Sequence, residues 1–201
     1  MKKIVLASAS PRRRELLQQL EVAFDCIATN IDEQQLPEES PIAYVQRLAI
    51  SKAKAGLAQQ NQSQQVPVLG ADTIVVIDGE VLGKPKDEAD FLRMMRLLSG
   101  RQHQVHTAIA LVGPQQELSQ LVTTDVWFTE LTEQAMLNYW QSGEPTDKAG
   151  GYGIQGLASR FIPKIAGSYF AVVGLPLFET DQLIQQYFAK TTASPVVQGN
   201  L

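Results

Sequence analysis

The fold of this chain is decided by residues 66–85, which read VPVLGADTIVVIDGEVLGKP. Two apolar runs, at 68–69 and 74–77, predict one strand that is buried on both faces. Asp78-Gly79 predicts a two-residue hairpin turn of type I′, because both residue types tolerate a positive φ. The return strand then begins at Val81.

Asp72 is out of place inside this apolar strand. Aspartate is disfavoured in strands, and a lone carboxylate is costly to bury unless it is paired, metal-bound or neutralised. Asp72 is therefore the first functional candidate. The structural alternative is an aspartate at a strand kink whose oxygens accept hydrogen bonds from nearby backbone N–H groups.

The position of Lys84 relative to Asp72 depends on the register of the hairpin. With a clean two-residue turn, Lys84 shares a face with Thr73, and Asp72 points the other way. A bulge at Gly83 would reverse this and bring Lys84 round to Asp72. The sequence leaves both arrangements open.

Three consecutive arginines, Arg12-Arg13-Arg14, open a predicted helix that runs to about residue 20. Ser10 is a good N-cap and Pro11 suits the first helical position. Three cations in a first turn oppose the helix macrodipole, which favours anions there. Either they point into solvent, or they bind phosphate together with the hydroxyls of Ser8 and Ser10. The strand–turn–helix setting favours phosphate, although the segment is not a standard P-loop.

Two more stretches offer candidate ligands. Asp32 and Glu33 lie in an acidic loop and either carboxylate suits a hard divalent cation, although such pairs also occur in ordinary solvated loops. A helix is predicted from Ser40-Pro41 to about residue 59. Lys52 falls on its apolar stripe, four residues after Leu48, so its side chain either extends out to water or reaches a ligand.

A glycine-rich segment, residues 143–156, reads GEPTDKAGGYGIQG. Its glycines imply tight turns and a close approach of the backbone to another group. Asp147, Lys148 and Gln155 are its useful side chains, and the Gln155 amide offers a donor and an acceptor to a nucleobase edge. The alternative is an ordinary mobile loop, but the apolar Ile154 indicates that the segment is anchored.

The remaining pattern completes an alternation of helices and strands. A helix is predicted over 86–98 and another over 132–142, with a final helix over 176–188. Strands are predicted at the positions that follow: 4–7, 22–28, 103–112, 118–131, 161–165 and 171–173.

Composition limits the classes of protein. The 201 residues suit one domain, here 1–190 in two lobes, with a mobile tail at 191–201. A net charge of −4 argues against nucleic-acid binding. Cys26 is the only cysteine, which excludes an internal disulfide and a cysteine-based zinc site. Neither a signal peptide nor an apolar run long enough to span a membrane is present, so we expect a cytoplasmic protein.

The candidate residues favour metal-assisted chemistry on a phosphate ligand. Arginines at a helix start and two lysines suit a triphosphate, and the carboxylates suit Mg²⁺ or Mn²⁺ and activation of water. Neither histidine, His103 or His106, has an obvious serine or cysteine partner. From the residues alone, this is as far as the assignment reaches.

Four motifs in order extend the assignment, because the chain resembles the Maf family of nucleoside triphosphate pyrophosphatases (septum formation inhibitor proteins) over roughly residues 3–187. The resemblance implies an α/β fold like that of the inosine triphosphatases (Ham1), with a long mixed sheet and two lobes around a cleft. It also implies hydrolysis of a nucleoside triphosphate to the monophosphate and pyrophosphate with a divalent cation. The motifs are SASPRR at 8–13, GADT at 70–73, GKP at 83–85, and DKAG at 147–150 with QG at 155–156.

The resemblance also implies a role for each candidate. Asp72 matches the proton acceptor of the family, and Glu33 together with Asp72 matches the metal or water ligands. The groups that match phosphate-binding positions are Ser8, Arg12, Arg13, Lys52 and Lys84.

Base specificity in the family is set where this chain has Arg12, Thr73 and Gln155. The branch that takes dTTP and UTP has arginine, threonine and glutamine there, whereas the 7-methyl-GTP branch has tryptophan, glutamine and glutamate. The resemblance therefore implies dTTP and UTP as substrates, with modified pyrimidine triphosphates as a further candidate class. A glutamine amide complements the mixed donor–acceptor edge of uracil or thymine.

Two alternative functions follow from the same family. One is a nucleotide-binding regulator of cell division with little turnover, and the other is the same enzyme acting on 7-methyl-GTP. The full set of Asp72, Lys84 and Glu33 favours an enzyme, and Gln155 argues against 7-methyl-GTP. The family often forms homodimers, so a homodimer is a further expectation.

Overall fold

One sheet organises the chain. The computed structural model describes residues 2–192, apart from the side chains of 64 and 190–192. In this part of the chain the strands are β1 (Lys3–Ala7), β2 (Ala23–Ile27), β3 (Val68–Ile77), β4 (Glu80–Leu82), β5 (Gln102–Val112), β6 (Glu117–Trp127) and β7 (Lys164–Ala166). The α-helices are α1 (Pro11–Gln18), α2 (Pro41–Ala58), α3 (Glu88–Leu98), α4 (Glu133–Gln141), α5 (Tyr169–Val173) and α6 (Leu177–Thr192).

The sheet is mixed, with the order β2-β1-β3-β5-β6-β7, and β4 pairs with β3 outside this path. β1 runs parallel to both β2 and β3. β3, β5, β6 and β7 pair antiparallel in succession. The predicted α/β class, a long mixed sheet flanked by helices, is confirmed.

The central hairpin has the predicted turn. In β3 every residue except Thr73 is buried. Asp78-Gly79 has φ values of 51° and 81°, and it joins β3 to β4 as a clean two-residue turn. β4 ends at Leu82, so Lys84 lies beyond the paired residues of the hairpin. Neither of the two predicted registers therefore determines on which face of the sheet its side chain lies.

The two faces of β3 pack differently because side chains alternate along a strand. The even-numbered face packs on α2, and Val68, Ile74 and Val76 belong to that cluster. The odd-numbered face carries two clusters. One contains Leu69 and Ala71 with residues of α1 and α6, and the other contains Val75 and Ile77 with residues of α3 and α4. Thr73 lies between these two clusters and belongs to neither.

α2 packs directly on β3 at Gly70. A Cβ at Gly70 would lie 2.2 Å from the backbone oxygen of Ala49 and 2.7 Å from the backbone nitrogen of Ala53. Since backbone atoms cannot move aside as a side chain can, only glycine fits there. This close approach places Lys52 of α2 opposite Asp72, two residues further along β3.

One predicted strand is wrong. Residues 171–173 form the end of the helix α5 rather than a strand. The two valines favour a strand, but the Ser168 hydroxyl accepts a hydrogen bond from the Ala171 N–H at 3.2 Å and caps a helical turn. Gly174, with φ of 127°, then ends the helix.

Other boundaries also differ from the prediction. The strand predicted over 161–165 is β7, Lys164–Ala166, because Leu157–Phe161 form a 3₁₀ turn. β6 ends at Trp127 rather than at residue 131, because the next backbone N–H groups leave the ladder: that of Phe128 donates to Arg101 and that of Thr129 to Phe161. α6 extends through Thr192, two residues into the predicted tail, and residues 193–201 of that tail lie outside the described residues. None of the helices within residues 2–192 has the length and apolar character needed to cross a membrane.

The contact at Gly70 predicts a specific loss of stability. We expect Gly70→Ala to lower the free energy of unfolding by about 1–3 kcal/mol, because the added methyl group forces α2 away from the sheet. Urea denaturation measures the change. Gly83→Ala is the matched control, since a Cβ there meets nothing within 4 Å. An equal effect of the two substitutions would contradict the packing described here.

Candidate active site

A gap in the pairing of β3 opens the site. On one edge of β3, β1 pairs with residues 68–70 and β4 pairs with residues 75–77. Among the described strands, none pairs with residues 71–74 on that edge, while β5 covers the opposite edge. Side chains from both faces of β3 therefore reach the same opening, and Asp72 and Thr73 lie at its centre.

Asp72 is paired with a lysine rather than with backbone N–H groups. Lys52 Nζ lies 2.6 Å from Asp72 Oδ1, and both side chains are nearly buried, at 12% and 11% exposure. The same Nζ lies 2.9 Å from Glu33 Oε1. Lys52 thus reaches into the cleft rather than out to water, and it joins the two carboxylates. The backbone-satisfied alternative for Asp72 does not apply.

Glu33 is positioned by α2 as well. The hydroxyl of Tyr44 donates to the backbone oxygen of Glu33 at 2.7 Å. Tyr44, Leu48 and Lys52 follow one another at four-residue steps, so they lie along one side of α2. Sequence reasoning missed Tyr44, although its spacing from Lys52 was the available signal. Asp32 instead accepts the backbone N–H of Gln34 within its own loop, at 2.9 Å.

The helix that opens with the three arginines begins as predicted. Ser10 Oγ accepts the N–H of Arg13 at 3.4 Å, and Ser8 Oγ accepts the N–H of Ser10 at 3.1 Å. Arg12 Nη1 donates to Asp147 Oδ2 at 3.1 Å, and only Arg14 is fully directed to the exposed side. Two of the three arginines therefore face the cleft.

Arg13 is held by neutral groups. Its Nε donates to the backbone oxygen of Gly174 at 2.8 Å, and its Nη2 donates to Thr73 Oγ1 at 3.1 Å. Burial lowers the pKa of Arg13, and the negative charge of Asp72 works in the opposite direction. A buried guanidinium whose partners are neutral gains stability from an anionic ligand, which is the property of a phosphate site.

The threonine hydroxyls near Arg13 can donate their hydrogens in only one consistent arrangement. Thr107 Oγ1 donates its hydrogen to the backbone oxygen of Ala171 at 2.7 Å. The 3.0 Å contact between Thr73 Oγ1 and Thr107 Oγ1 must then use the hydrogen of Thr73. Thr73 accepts from Arg13 and donates to Thr107, so it presents only acceptor capacity to the cleft. Thr107 was missed, because threonine in a buried strand is ordinary.

The glycine-rich segment is packed against the central hairpin and is not a loose loop. It forms two short 3₁₀ turns, Glu144–Asp147 and Ala149–Gly151. The Gly150 N–H donates to the Gly83 oxygen at 2.9 Å, and a Cβ at Gly150 would meet Val75 at 2.8 Å. Ile154 packs against the cluster of α1 and α6, as predicted for an anchored segment.

Asp147 ties this segment to α1. Its carboxylate pairs with Arg12 at 3.1 Å and with Lys148 Nζ at 2.7 Å. Burial alone would raise the pKa of Asp147, but the hydrogen bonds from Lys148 and Arg12 outweigh it and lower this pKa. Asp147 is therefore a carboxylate at neutral pH, and it forms ion pairs with two cations of the cleft.

All of the predicted site residues except Asp32 and Arg14 line one cleft of about 620 Å³. Neither histidine lines it: His103 contacts the Tyr152 hydroxyl at 2.7 Å and His106 contacts Thr123 Oγ1 at 2.8 Å. Two carboxylates and a lysine lie on the α2 side, with arginines on the α1 side. The predicted residues in the cleft wall are Ser8, Arg12, Arg13, Glu33, Lys52, Asp72, Thr73, Lys84 and Gln155.

Fold and site together define an α/β protein with a cationic cleft built for a polyanionic ligand. The chain belongs to the Maf family, since the family described as Maf-like protein matches residues 3–187. A dTTP/UTP pyrophosphatase of Vibrio parahaemolyticus is 56% identical over 184 residues, which cover 92% of this chain and 96% of the relative. One of Shigella dysenteriae is 56% identical over 189 residues, covering 94% and 95%.

One further relative and one solved structure are also similar to this chain. A dTTP/UTP pyrophosphatase of Pseudoalteromonas translucida is 55% identical over 184 residues, covering 92% of this chain and 96% of the relative. The crystal structure of a nucleoside-triphosphatase / dITP/XTP pyrophosphatase from Mycobacterium abscessus aligns with a TM-score of 0.47 at 14% identity. That alignment covers 96% of this chain and 100% of the other.

The direction of the hydroxyl chain gives a prediction at Thr107. Thr107→Val keeps the shape but leaves Thr73 without its acceptor and the Ala171 oxygen without its donor. We expect the free energy of unfolding to fall by about 1–3 kcal/mol. We also expect weaker binding of a non-hydrolysable triphosphate analogue, measured by titration calorimetry, because Arg13 loses its fixed orientation. Thr107→Ser restores the hydroxyl and should restore both values; unchanged binding in the valine variant would contradict the role given to Thr107.

Proposed function

We propose that this chain is a nucleoside triphosphate pyrophosphatase that hydrolyses dTTP and UTP to the nucleoside monophosphate and pyrophosphate. The observation that carries the proposal is the meeting of Asp72, Lys52 and Glu33 in one cleft with the arginines of α1. Relatives at 55–56% identity bear the name dTTP/UTP pyrophosphatase, which supports the same substrates here.

The cations of the cleft bind the triphosphate in this proposal. Arg13 keeps three of its five N–H bonds free of acceptors among the described residues. Lys84 makes no ion pair within residues 2–192 and lies in the cleft wall. A volume of about 620 Å³ lies within the roughly 300–1,000 Å³ typical of ligand sites. Ser8 adds a hydroxyl beside the start of α1.

Asp72 accepts the proton of the attacking water. The water oxygen forms a bond to the α-phosphorus, and the phosphoanhydride bond between the α- and β-phosphates breaks. Pyrophosphate leaves with the bridging oxygen. The Asp72 carboxylate is held by Lys52. Phosphate oxygens compete for the same ammonium, so binding of substrate frees a carboxylate lone pair for the water.

The donors fit a hard divalent cation, Mg²⁺ or Mn²⁺. Glu33 and Asp72 converge on the single ammonium of Lys52, so positive charge is stabilised between them. Mg²⁺ is commonly held by one or two carboxylates together with substrate phosphates and water. A bound cation would neutralise charge that develops on the phosphate oxygens. Glu33 and Asp72 are the residues that would hold it.

Three residues set the preference for the base. Gln155 offers a donor and an acceptor to the edge of uracil or thymine, whereas Thr73 offers only an acceptor, because its hydrogen is used by Thr107. Arg12 is bound to Asp147 and so contributes to the wall between α1 and the glycine-rich segment. A single domain over 1–190, a homodimer and a cytoplasmic location stay predictions.

A panel of nucleoside triphosphates tests the proposal directly. We expect pyrophosphate release from dTTP and UTP in the presence of Mg²⁺ or Mn²⁺ and little release after removal of the metal by a chelator. A coupled pyrophosphate assay measures it. Release from 7-methyl-GTP instead would keep the reaction but refute the specificity, and binding without release would favour the regulator.

Asp72→Asn tests the role of the proton acceptor. We expect kcat to fall by at least about 100-fold, since the amide cannot take up the proton. Circular dichroism should show an unchanged fold, because the substitution preserves the shape of the side chain. Asp78→Asn is the matched control, as it changes an aspartate at the hairpin turn away from the cleft. Normal turnover of the Asp72→Asn variant would remove Asp72 from the mechanism.

A further inference from the structure

Glu144 lies behind the cleft wall and no step so far uses it. It opens the first 3₁₀ turn of the glycine-rich segment. Its Oε1 accepts the hydroxyl of Tyr139 at 2.8 Å, and its Oε2 accepts the N–H of Leu157 at 2.9 Å. Lys148 Nζ holds its backbone oxygen at 2.6 Å. One carboxylate therefore joins Tyr139 of α4 to Leu157, directly after the segment that carries Gln155.

These bonds fix the chain on both sides of Gln155. The Gly153 N–H donates to the Tyr139 oxygen at 3.2 Å, and the Tyr139 hydroxyl passes the connection on to Glu144. The Leu157 N–H reaches the same carboxylate directly. The anchored positions lie two residues before and two residues after Gln155. The backbone that carries Gln155 is thus spanned by the linked side chains of Glu144 and Tyr139.

The glycines of the segment fit around this carboxylate. A Cβ at Gly156 would lie 2.3 Å from each oxygen of Glu144. A Cβ at Gly153 would lie 2.7 Å from Lys148 Cε. Any larger residue would displace the charged groups that hold the loop. The glycine content that marks this stretch in the sequence therefore leaves room for the glutamate.

The anchor is rigid on its other side. Tyr139 is fully buried, and its ring packs against Phe91 and Phe161 in the cluster of α3 and α4. Burial raises the pKa of Tyr139, and the hydrogen bond to Glu144 raises it further, so the phenol remains a donor. The loop is therefore tied through Glu144 to the core and not to a mobile surface group.

Gln155 itself makes no side-chain hydrogen bond within the described part of the chain, and it is exposed in the cleft wall. Within the described residues, the position of this side chain at the cleft therefore rests on its backbone and not on a polar contact of its own. We propose that Glu144 is a positioning residue for base selectivity, which fixes the backbone on both sides of Gln155. The inference rests on the proposed function, because it assigns Glu144 to the recognition of the base in that reaction.

The test compares selectivity and not activity alone. Glu144→Gln keeps the shape but replaces one acceptor with an NH₂ group, so one of the two anchors is lost. We expect the ratio of kcat/KM for UTP to that for GTP to fall by about ten-fold or more, with a rise in KM for UTP and a smaller change in kcat. A purely structural defect would lower kcat/KM for both substrates together and leave their ratio unchanged.

Two controls sharpen the test. Glu133→Gln changes a glutamate of α4 that pairs with Arg96 outside the cleft, and it should keep the wild-type ratio. Tyr139→Phe keeps the buried ring but removes the hydroxyl that joins Gly153 to Glu144, and it should lower the ratio in the same direction. It also serves as the second variant where Glu144→Gln folds poorly.

A double substitution identifies the route of the effect. When Glu144 acts through Gln155, adding Glu144→Gln to Gln155→Ala should cause no further loss of the ratio. Additive losses, or an unchanged ratio in both Glu144→Gln and Tyr139→Phe, would overturn the inference while the wild type still hydrolyses UTP. A wild type that releases no pyrophosphate from UTP would overturn the proposed function and this inference with it.

Discussion

The buried carboxylate of Asp72 is the constraint on which the site depends. A charge placed in a strand that is otherwise apolar on both faces requires a partner of opposite sign. Lys52 supplies it at 2.6 Å, and that distance requires α2 to lie directly on β3, which in turn requires Gly70. The packing of α2 on the sheet and the charge balance of the cleft therefore depend on the same close contact.

The gap in the edge of β3 explains how residues of opposite faces cooperate. Alternation along a strand sends Asp72 towards α2 and Thr73 towards α1 and α5. In a fully paired sheet the two side chains would be separated by the neighbouring strand. Because β1 ends at Ala7 and β4 begins its pairing at Val75, the opening connects both faces. The carboxylates thus lie on one side of the sheet and the hydroxyl–arginine chain on the other.

The sequence predicted the parts that local patterns determine. Burial periodicity exposed Asp72 as an exception, and cap residues placed α1, α2 and α4 correctly. Contacts between distant segments were beyond it. Lys52 and Asp72 each stood out in the sequence, but not as partners of one another, and Thr107 and Glu144 are of types that are unremarkable where they stand. The valines of 171–173 failed for a local reason, since a cap and a glycine outweighed their β propensity.

The cleft holds its own counterions, and this shapes how it would bind a polyanion in the proposed function. Within the described residues its wall carries five cations, Arg12, Arg13, Lys52, Lys84 and Lys148, and three carboxylates, Glu33, Asp72 and Asp147. Arg12 and Lys148 are bound to Asp147, and Lys52 is bound to the other two carboxylates.

Of these five cations, only Arg13 and Lys84 make no ion pair within the described residues, so in the proposed function they attract the first phosphate. In the proposed function, the remaining cations become available when a phosphate oxygen replaces a carboxylate as their partner, so each cation stays satisfied before and after binding. A triphosphate that draws Lys52 away would also release the Asp72 carboxylate, so the proposed proton acceptor would be freed by the substrate on which it acts.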